Sequence, residues 1–169
     1  YIAATSQYTI GNWYYLVGTN SGVNCKFYIN GVLDTTYTQA AVASNPGSTT
    51  KFKLGRFYQG IDNYYYNGKL ASVALYNREL SASEIQQNFN ALKNRFIVSL
   101  VSVSIVTSGL IVNLDAGDSS SYPGSGTTWT DLSSSSNNGT LTNGPTYSSA
   151  DGGSIVFDGT NDYATIADV

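Results

Sequence analysis

Short runs in which apolar and polar residues alternate make up most of this sequence. Val, Ile, Thr, Tyr and Phe fill the runs, and Gly, Asn, Ser or Pro residues recur between them. This pattern predicts short antiparallel strands joined by turns, which favours a sandwich or barrel over an α/β fold. The predicted strands cover residues 13–19, 23–30, 32–35, 52–57, 69–76, 110–114, 154–157 and 163–166, with a polar, aromatic loop between residues 57 and 67.

The pair Asn30 and Gly31 marks a β-hairpin. It separates the β-rich runs 26–29 and 32–35. Both residue types tolerate a positive φ, and an Asn-Gly pair between two such runs is the strongest short-range hairpin signal.

One helix is predicted to begin at Ser81. Ser81 and Glu84 have the spacing of a capping box, in which the Ser hydroxyl accepts from the Glu amide and the Glu side chain reaches back. Ile85, Phe89 and Leu92 then recur at i, i+4 and i+7, which gives one apolar stripe for packing on a sheet.

The composition excludes several kinds of chemistry. The chain has no His, which excludes Ser–His–Asp triads, Cys–His pairs and zinc sites built on imidazole. Its single cysteine, Cys25, excludes an internal disulfide and is expected to be a small buried side chain. Lys and Arg residues form no cluster with interleaved aromatics, so no nucleic-acid partner is predicted.

The uncharged stretch 96–114 is not expected to span a membrane. A span needs about 20 predominantly apolar residues, and this stretch contains several Ser residues as well as Thr and Asn. Period-two alternation over residues 101–105 predicts a strand followed by a linker instead.

Two sets of motifs resemble laminin-G-like, concanavalin-A-like jelly-roll domains. Four segments resemble the end of such a domain: NWYYLVGT, KFYINGVL, FKLGRF and YYNGKLASVALYNRELSASEIQQNFNA. Four later segments resemble the start of one: GLIVNLDAGD, YPGSGTTWTDLS, NNGTLTNGPTY and GSIVFDGTNDYATI. The resemblance implies an all-β fold, an antiparallel jelly-roll β-sandwich with one short helix near residues 82–93.

The closing motifs therefore precede the opening motifs, which bears on the domain organisation. Residues 1–97 are expected to be the C-terminal part of one jelly roll, 98–108 a strand and linker, and 109–169 the N-terminal part of a next or permuted one. Because the chain has no Met and begins and ends inside strand-like segments, we expect an internal piece of a longer protein. Two interpretations stay open: a junction of tandem domains, or a circularly permuted single domain with some strands deleted. Packing of the two parts on each other is compatible with a junction as well, because the first strands of this fold pair near its last ones.

The sequence predicts a non-catalytic protein. Some relatives of the jelly roll hydrolyse polysaccharides with clustered strand carboxylates, and glycoside hydrolysis generally needs two carboxyl groups that flank the bond. No predicted strand here carries two acids at i, i+2 spacing. The only glutamates, Glu79 and Glu84, are both expected to serve the start of the helix.

The predicted ligand site lies in the aromatic segment between residues 57 and 67. Aromatic rings stack on sugar rings, whereas amides and carboxylates hydrogen-bond to sugar hydroxyls. In the alternative interpretation, alternate tyrosines of this segment cover the edge of a sheet. The candidate residues are Tyr58, Asp62, Asn63, Tyr64, Tyr65 and Tyr66.

Ca²⁺ is the one cofactor that the sequence suggests. Asp115, Asp158 and Asp162 would supply hard oxygen ligands. In the alternative interpretation, Asp158 and Asp162 are turn formers that bond their own backbone.

The favoured hypothesis is a carbohydrate-binding or adhesive repeat of a larger extracellular or cell-surface protein, with adjacent homologous domains in the same chain. Its partners would be glycans or a surface protein. The alternative is a structural or assembly repeat of a phage tail fibre, a capsid decoration or a surface layer, with a virion protein as the partner. Trp13 and Trp129 are expected in the core because each begins or joins an apolar strand.

Overall fold

The computed structural model describes residues 6–38, 52–59, 62–93 and 104–166. These ranges are mostly antiparallel β-structure with one α-helix, α1, and one turn of 3-10 helix at Ala150–Gly152, which confirms the predicted all-β jelly-roll class. The strands are β1 Leu16–Asn20, β2 Asn24–Ile29, β3 Val32–Thr38, β4 Phe52–Leu54, β5 Arg56–Gln59, β6 Asp62–Tyr65, β7 Asn67–Leu70, β8 Ser72–Tyr76, β9 Leu110–Asp115, β10 Thr128–Trp129, β11 Gly139–Thr142, β12 Thr146–Ser148, β13 Ser154–Asp158 and β14 Tyr163–Ile166, and α1 is Ala82–Lys93.

The chain divides into two compact units. The first unit contains Tyr1–Ser48 and Arg78–Ser108, and the second contains Thr49–Asn77 and Gly109–Val169. Neither unit coincides with the predicted segments 1–97 and 109–169, because the second unit draws strands from both.

The first unit contains a three-stranded meander, β1-β2-β3. The predicted hairpin between β2 and β3 is confirmed: Asn30 and Gly31 have φ of 52° and 80°. Asn30 also holds the entry to β1, since its side-chain Oδ1 accepts from the Tyr15 amide at 2.9 Å and its backbone amide donates to the Tyr15 carbonyl at 2.8 Å.

The capping box of α1 is formed as predicted. The Ser81 amide donates to Glu84 Oε2 at 2.9 Å, and the Glu84 amide donates to Ser81 Oγ at 3.3 Å. Arg78 binds the same carboxylate in a bidentate manner, with Nη1 donating to Oε2 at 3.0 Å and Nη2 donating to Oε1 at 2.6 Å. The hydrogen bonds from Arg78, followed by those from Ser81, lower the pKa of Glu84 to about 2.

Glu79 has a different role from the predicted one. Its Oε1 accepts from Lys26 Nζ at 3.1 Å and from the Thr19 hydroxyl at 3.2 Å. It therefore ties the segment before α1 to β1 and β2, and it does not serve the helix start.

The apolar stripe of α1 is present, although only Ile85 is fully buried. Phe89 packs on Tyr15 with ring centroids 6.0 Å apart. A polar residue that the pattern did not indicate, Asn88, is also buried and accepts from the Val106 amide at 2.7 Å. The strand predicted over residues 101–105 is not seen in its described part, residues 104 and 105, and the remainder lies outside the described residues.

The second unit is built from strand pairs that join residues 49–77 to residues 109–169. Strand β4 pairs with β14, β7 pairs with β13, and β8 pairs with β9, all antiparallel. The wider sheets run in the orders β10-β11-β14-β4 and β12-β13-β7. The parts that resemble the end and the start of a jelly roll therefore share sheets.

These pairs enclose the hydrophobic core of the second unit. Trp129 is completely buried there, as predicted for a core residue. Side chains from β4, β7 and β8 pack against the buried residues of the later strands. The buried members are Val112, Leu114, Ala116, Tyr122, Trp129, Leu141, Ile155, Phe157, Ala164 and Ile166.

Asp131 fastens the loop after β10 to strand β9. Its Oδ1 accepts from the amides of Asn113 and Ser133 at 2.7 and 2.8 Å. Its Oδ2 accepts from the Ser133 hydroxyl at 2.7 Å and from the Asn137 amide at 2.8 Å. Burial alone would raise the pKa of this carboxyl, but the hydrogen bonds outweigh burial and lower the pKa.

We predict that Asp131→Asn destabilises the protein by about 2 kcal/mol at neutral pH, because a charged acceptor of several hydrogen bonds is lost. A folded-state pKa below the unfolded one gives stability that is fully present above the unfolded pKa, about 3.9 for Asp. That stability is lost as the pH falls through the lower folded pKa. Urea denaturation of both proteins at pH 7 and pH 3 should therefore show a difference in unfolding free energy that shrinks in acid.

Asp151→Asn is the matched control. Asp151 is exposed and has a φ of 54°, which Asn also tolerates. An equal loss of stability in both variants, or a difference for Asp131→Asn that is the same at both pH values, would contradict this role for Asp131.

Candidate binding site

The segment predicted as a polar, aromatic loop is a β-hairpin, so that prediction was wrong. Its Phe and Tyr residues are strong β-formers, and they pair across β5 and β6. The Tyr66 amide closes the base of the hairpin by donating to the Gly55 carbonyl at 2.8 Å. The paired residues are Arg56 with Tyr65, Phe57 with Tyr64, Tyr58 with Asn63, and Gln59 with Asp62.

One face of this hairpin presents two exposed aromatic rings. Phe57 and Tyr64 lie directly opposite each other on the two strands. Their ring centroids are 6.4 Å apart with planes tilted by 37°. Phe57 is 54% exposed and Tyr64 is 55% exposed, so the two rings offer adjacent faces to solvent.

The other face of the hairpin holds a fixed guanidinium group. Arg56 donates from Nε and Nη2 to Asn63 Oδ1 at 3.0 and 2.6 Å. Its guanidinium carbon lies 5.8 Å from the ring centroid of Tyr65, which is half-buried. Asn63 and Tyr65 thus position Arg56.

Tyr66, just after β6, is held by packing. Its ring lies 6.2 Å from that of Phe157, and its hydroxyl donates to the Lys69 carbonyl at 3.4 Å. A Cβ at Gly68 would lie 2.5 Å from the Tyr66 hydroxyl, so a larger residue at this position would displace the Tyr66 ring.

The predicted site residues are therefore divided between two faces of the hairpin and its base. Tyr64 lies on one face, Asn63 and Tyr65 lie on the other, and Tyr66 packs at the base. The backbones of Tyr58 and Asp62 belong to the hairpin. Their side chains lie outside the described residues.

Sequence reasoning missed two residues of the hairpin, Phe57 and Arg56. Because the segment was treated as a loop, the alternation of side chains between the two faces of a strand was not considered. In the hairpin, Phe57 and Tyr64 lie opposite each other on one face. The contact of Arg56 with Asn63 depends on the pairing register, for which the sequence carries no direct signal.

The three candidate calcium ligands accept hydrogen bonds from backbone amides. Asp158 Oδ1 accepts from the Thr160 amide at 2.8 Å, and this bond is the main cause of a lowered pKa for Asp158. Asp162 Oδ2 accepts from the Asp158 amide at 3.2 Å, and Asp115 Oδ1 accepts from the Gly117 amide at 2.8 Å. Within the described ranges, no group of three or more His, Cys, Asp and Glu residues could hold a metal ion.

We predict that excess CaCl2 leaves the melting temperature unchanged relative to EDTA, because these carboxylates already serve their own turns. An ion bound to the folded state at a hundred times its dissociation constant would stabilise the protein by about 2.7 kcal/mol. A thermal melt followed by circular dichroism resolves such a shift, and MgCl2 at equal ionic strength controls for salt. A rise in melting temperature that is specific to calcium would support the calcium site instead.

No helix in the described part of the chain is long and apolar enough to cross a membrane. Searches of curated proteins and of solved structures returned no match. A laminin-G family model, described as the concanavalin A-like lectin/glucanases superfamily, matches residues 1–86. The match covers half of the chain and includes three of the four motifs that resemble the end of a jelly roll, together with most of the fourth. The chain therefore belongs to the concanavalin A-like lectin/glucanase superfamily.

Proposed function

We propose that this chain is a non-catalytic binding module, a carbohydrate-binding or adhesive repeat of a larger extracellular or cell-surface protein. Its superfamily fits a binding module. The specific ligand class that we propose is a glycan, bound at the exposed rings of Phe57 and Tyr64.

The observation that carries this proposal is the exposure of two adjacent rings on a paired hairpin. Large apolar side chains are usually buried on folding, yet Phe57 and Tyr64 each leave more than half of their surface in solvent. The strand pairing of β5 with β6 holds the backbone that carries both rings, so little conformational entropy is lost when a ligand binds. Aromatic faces of this kind stack on the apolar faces of sugar rings.

The contacts that the acidic residues make support a non-catalytic role. Glycoside hydrolysis generally requires two carboxyl groups on either side of the scissile bond. Among the described side chains, Glu79 is paired with Lys26, Glu84 caps α1, and Asp131 is buried in a network of backbone amides. These acids are engaged in holding the fold.

We predict that the double variant Phe57→Ala and Tyr64→Ala weakens glycan binding by at least about tenfold, since each stacked ring contributes about 1 kcal/mol. A glycan array probed with the purified protein identifies the ligand, and calorimetry on that ligand measures the affinity of each variant. Both side chains are exposed, so the thermal melt should change little.

Tyr64→Phe is the matched control, because it keeps the ring and removes only the hydroxyl. It should retain most of the affinity, whereas Tyr64→Leu should lose it despite a similar apolar area. Unchanged affinity in the double alanine variant would contradict the proposed site. If no glycan binds, the alternative of a structural or assembly repeat is favoured.

A further inference from the structure

The outer face of the sheet β10-β11-β14-β4 carries a cluster of cations around one tyrosine. Ala164 and Ile166 of β14 are completely buried, so the alternate residues Tyr163 and Thr165 lie on the opposite face of that strand. Lys53 of the neighbouring strand β4 pairs with Thr165 and lies on this outer face as well. Its Nζ is 5.8 Å from the centroid of the Tyr163 ring.

Arg56 approaches the same ring from the hairpin. Its guanidinium carbon is 5.5 Å from the Tyr163 centroid. Because Asn63 and the ring of Tyr65 hold this side chain, its position does not depend on a ligand. Two cationic side chains therefore lie near the Tyr163 ring, and one of them, Arg56, is held in place before any ligand binds.

Neither cation has an acidic partner among the described residues. The ion pairs found there join Lys26 to Glu79 and Arg78 to Glu84. The nearest acid in sequence to Tyr163 is Asp162, which is buried and accepts from the Asp158 amide. Two of the five N–H groups of Arg56 point to Asn63, which leaves three donors for a ligand.

A row of hydroxyl groups extends from this cluster across the sheet. Thr128 pairs with Thr140, Thr140 pairs with Thr165, and Thr165 pairs with Lys53. Adjacent strands are about 4.8 Å apart, so the three threonines span about 10 Å, and the row that ends at Lys53 spans about 14 Å. A row of this length suits a chain of sugar units with many hydroxyls better than a single small ion.

We propose that Lys53, Arg56 and Tyr163 bind an acidic sugar unit, carboxylated or sulfated, within a polysaccharide. The proposal rests on the proposed glycan-binding function and adds the ligand class. Arg56 donates hydrogen bonds to the anionic group, Lys53 contributes a second positive charge, and the threonine row accommodates the neighbouring sugars. The charge on this face is opposite to the net charge of −3 of the whole chain, so this face attracts an anion that the rest of the surface repels.

The test compares polysaccharides that differ in charge. Dextran sulfate and unmodified dextran share a backbone and differ in charge, and polygalacturonate supplies carboxylates. Single-stranded poly(dT) is a polyanion that lacks the many free sugar hydroxyls of a polysaccharide. Binding of the whole chain to each is measured by biolayer interferometry at two salt concentrations. The wild type should prefer an acidic polysaccharide to dextran, and the preference should weaken in salt.

The double variant Lys53→Gln and Arg56→Gln should bind the preferred acidic polysaccharide at least about tenfold more weakly, because two charge contacts are lost. Lys69→Gln is the matched control, since Lys69 also belongs to the second unit but lies on β7, in another sheet. Its affinity should equal that of the wild type. If the double variant does not fold, Lys53→Gln alone serves, because Lys53 is exposed.

Equal losses of affinity in the double variant and in Lys69→Gln would overturn the proposal. Unaltered binding in the double variant would overturn it too, as would poly(dT) binding as tight as the binding of both acidic polysaccharides. Failure to bind either acidic polysaccharide would also overturn it. The proposed function has a separate readout: a glycan found on the array that depends on Phe57 and Tyr64 but not on Lys53 and Arg56 would leave that function intact. Dextran sulfate binding without polygalacturonate binding identifies sulfate as the recognised group, and the reverse identifies carboxylate.

Discussion

Backbone hydrogen bonds between distant parts of the chain hold the second unit together. In the pairing of β8 with β9, Val73 lies opposite Leu114 and Leu75 lies opposite Val112. Leu114 and Val112 are completely buried, and complete burial of such a side chain stabilises a fold by about 1.5–3 kcal/mol. Without β8, strand β9 would leave one row of backbone amides and carbonyls unpaired. The strand ladder and the core therefore form together.

The candidate binding surfaces depend on the same pairs. The hairpin β5–β6 lies in the chain between β4 and β7, which pair with β14 and β13. Gly55 makes the bend between β4 and β5 with a φ of 81°, and a Cβ there would lie 2.9 Å from the Phe157 ring. Pairing of β4 with β14 also brings Lys53 next to Thr165, on the face that carries Tyr163. A change that separated these strands would remove both surfaces.

Local features were predictable from the sequence because local rules govern them. The Asn30–Gly31 turn follows from residues that tolerate positive φ, and the start of α1 follows from the reciprocal bonds of Ser81 and Glu84. Burial of Trp129 follows from its place beside an apolar strand. The hairpin at residues 56–65 was missed because Tyr64 and Tyr65 are consecutive and followed by Tyr66, so the tyrosines give no period-two alternation of apolar and polar residues.

Features that depend on register could not be predicted. Whether Lys53 meets Tyr163, or Arg56 meets Asn63, is decided by which residues lie opposite each other across strands, and a shift of one residue would reverse every face. The role of Glu79 is of the same kind: it pairs with Lys26 of a strand far away in the sequence. The motif order alone did not predict which strands of the two parts pair with each other.

Disulfide trapping across β8 and β9 tests the central claim that one chain supplies both strands. Ala74 and Asn113 are directly opposite each other, and paired antiparallel residues have Cα atoms about 4.5–5.5 Å apart, within the range that a disulfide spans. Ala74→Cys with Asn113→Cys, in a Cys25→Ala background, should oxidise to a cross-linked monomer. Ala74→Cys with Thr128→Cys should not, because β8 and β10 lie in different sheets. Cross-linked dimers in place of monomers, or no cross-link, would contradict the account.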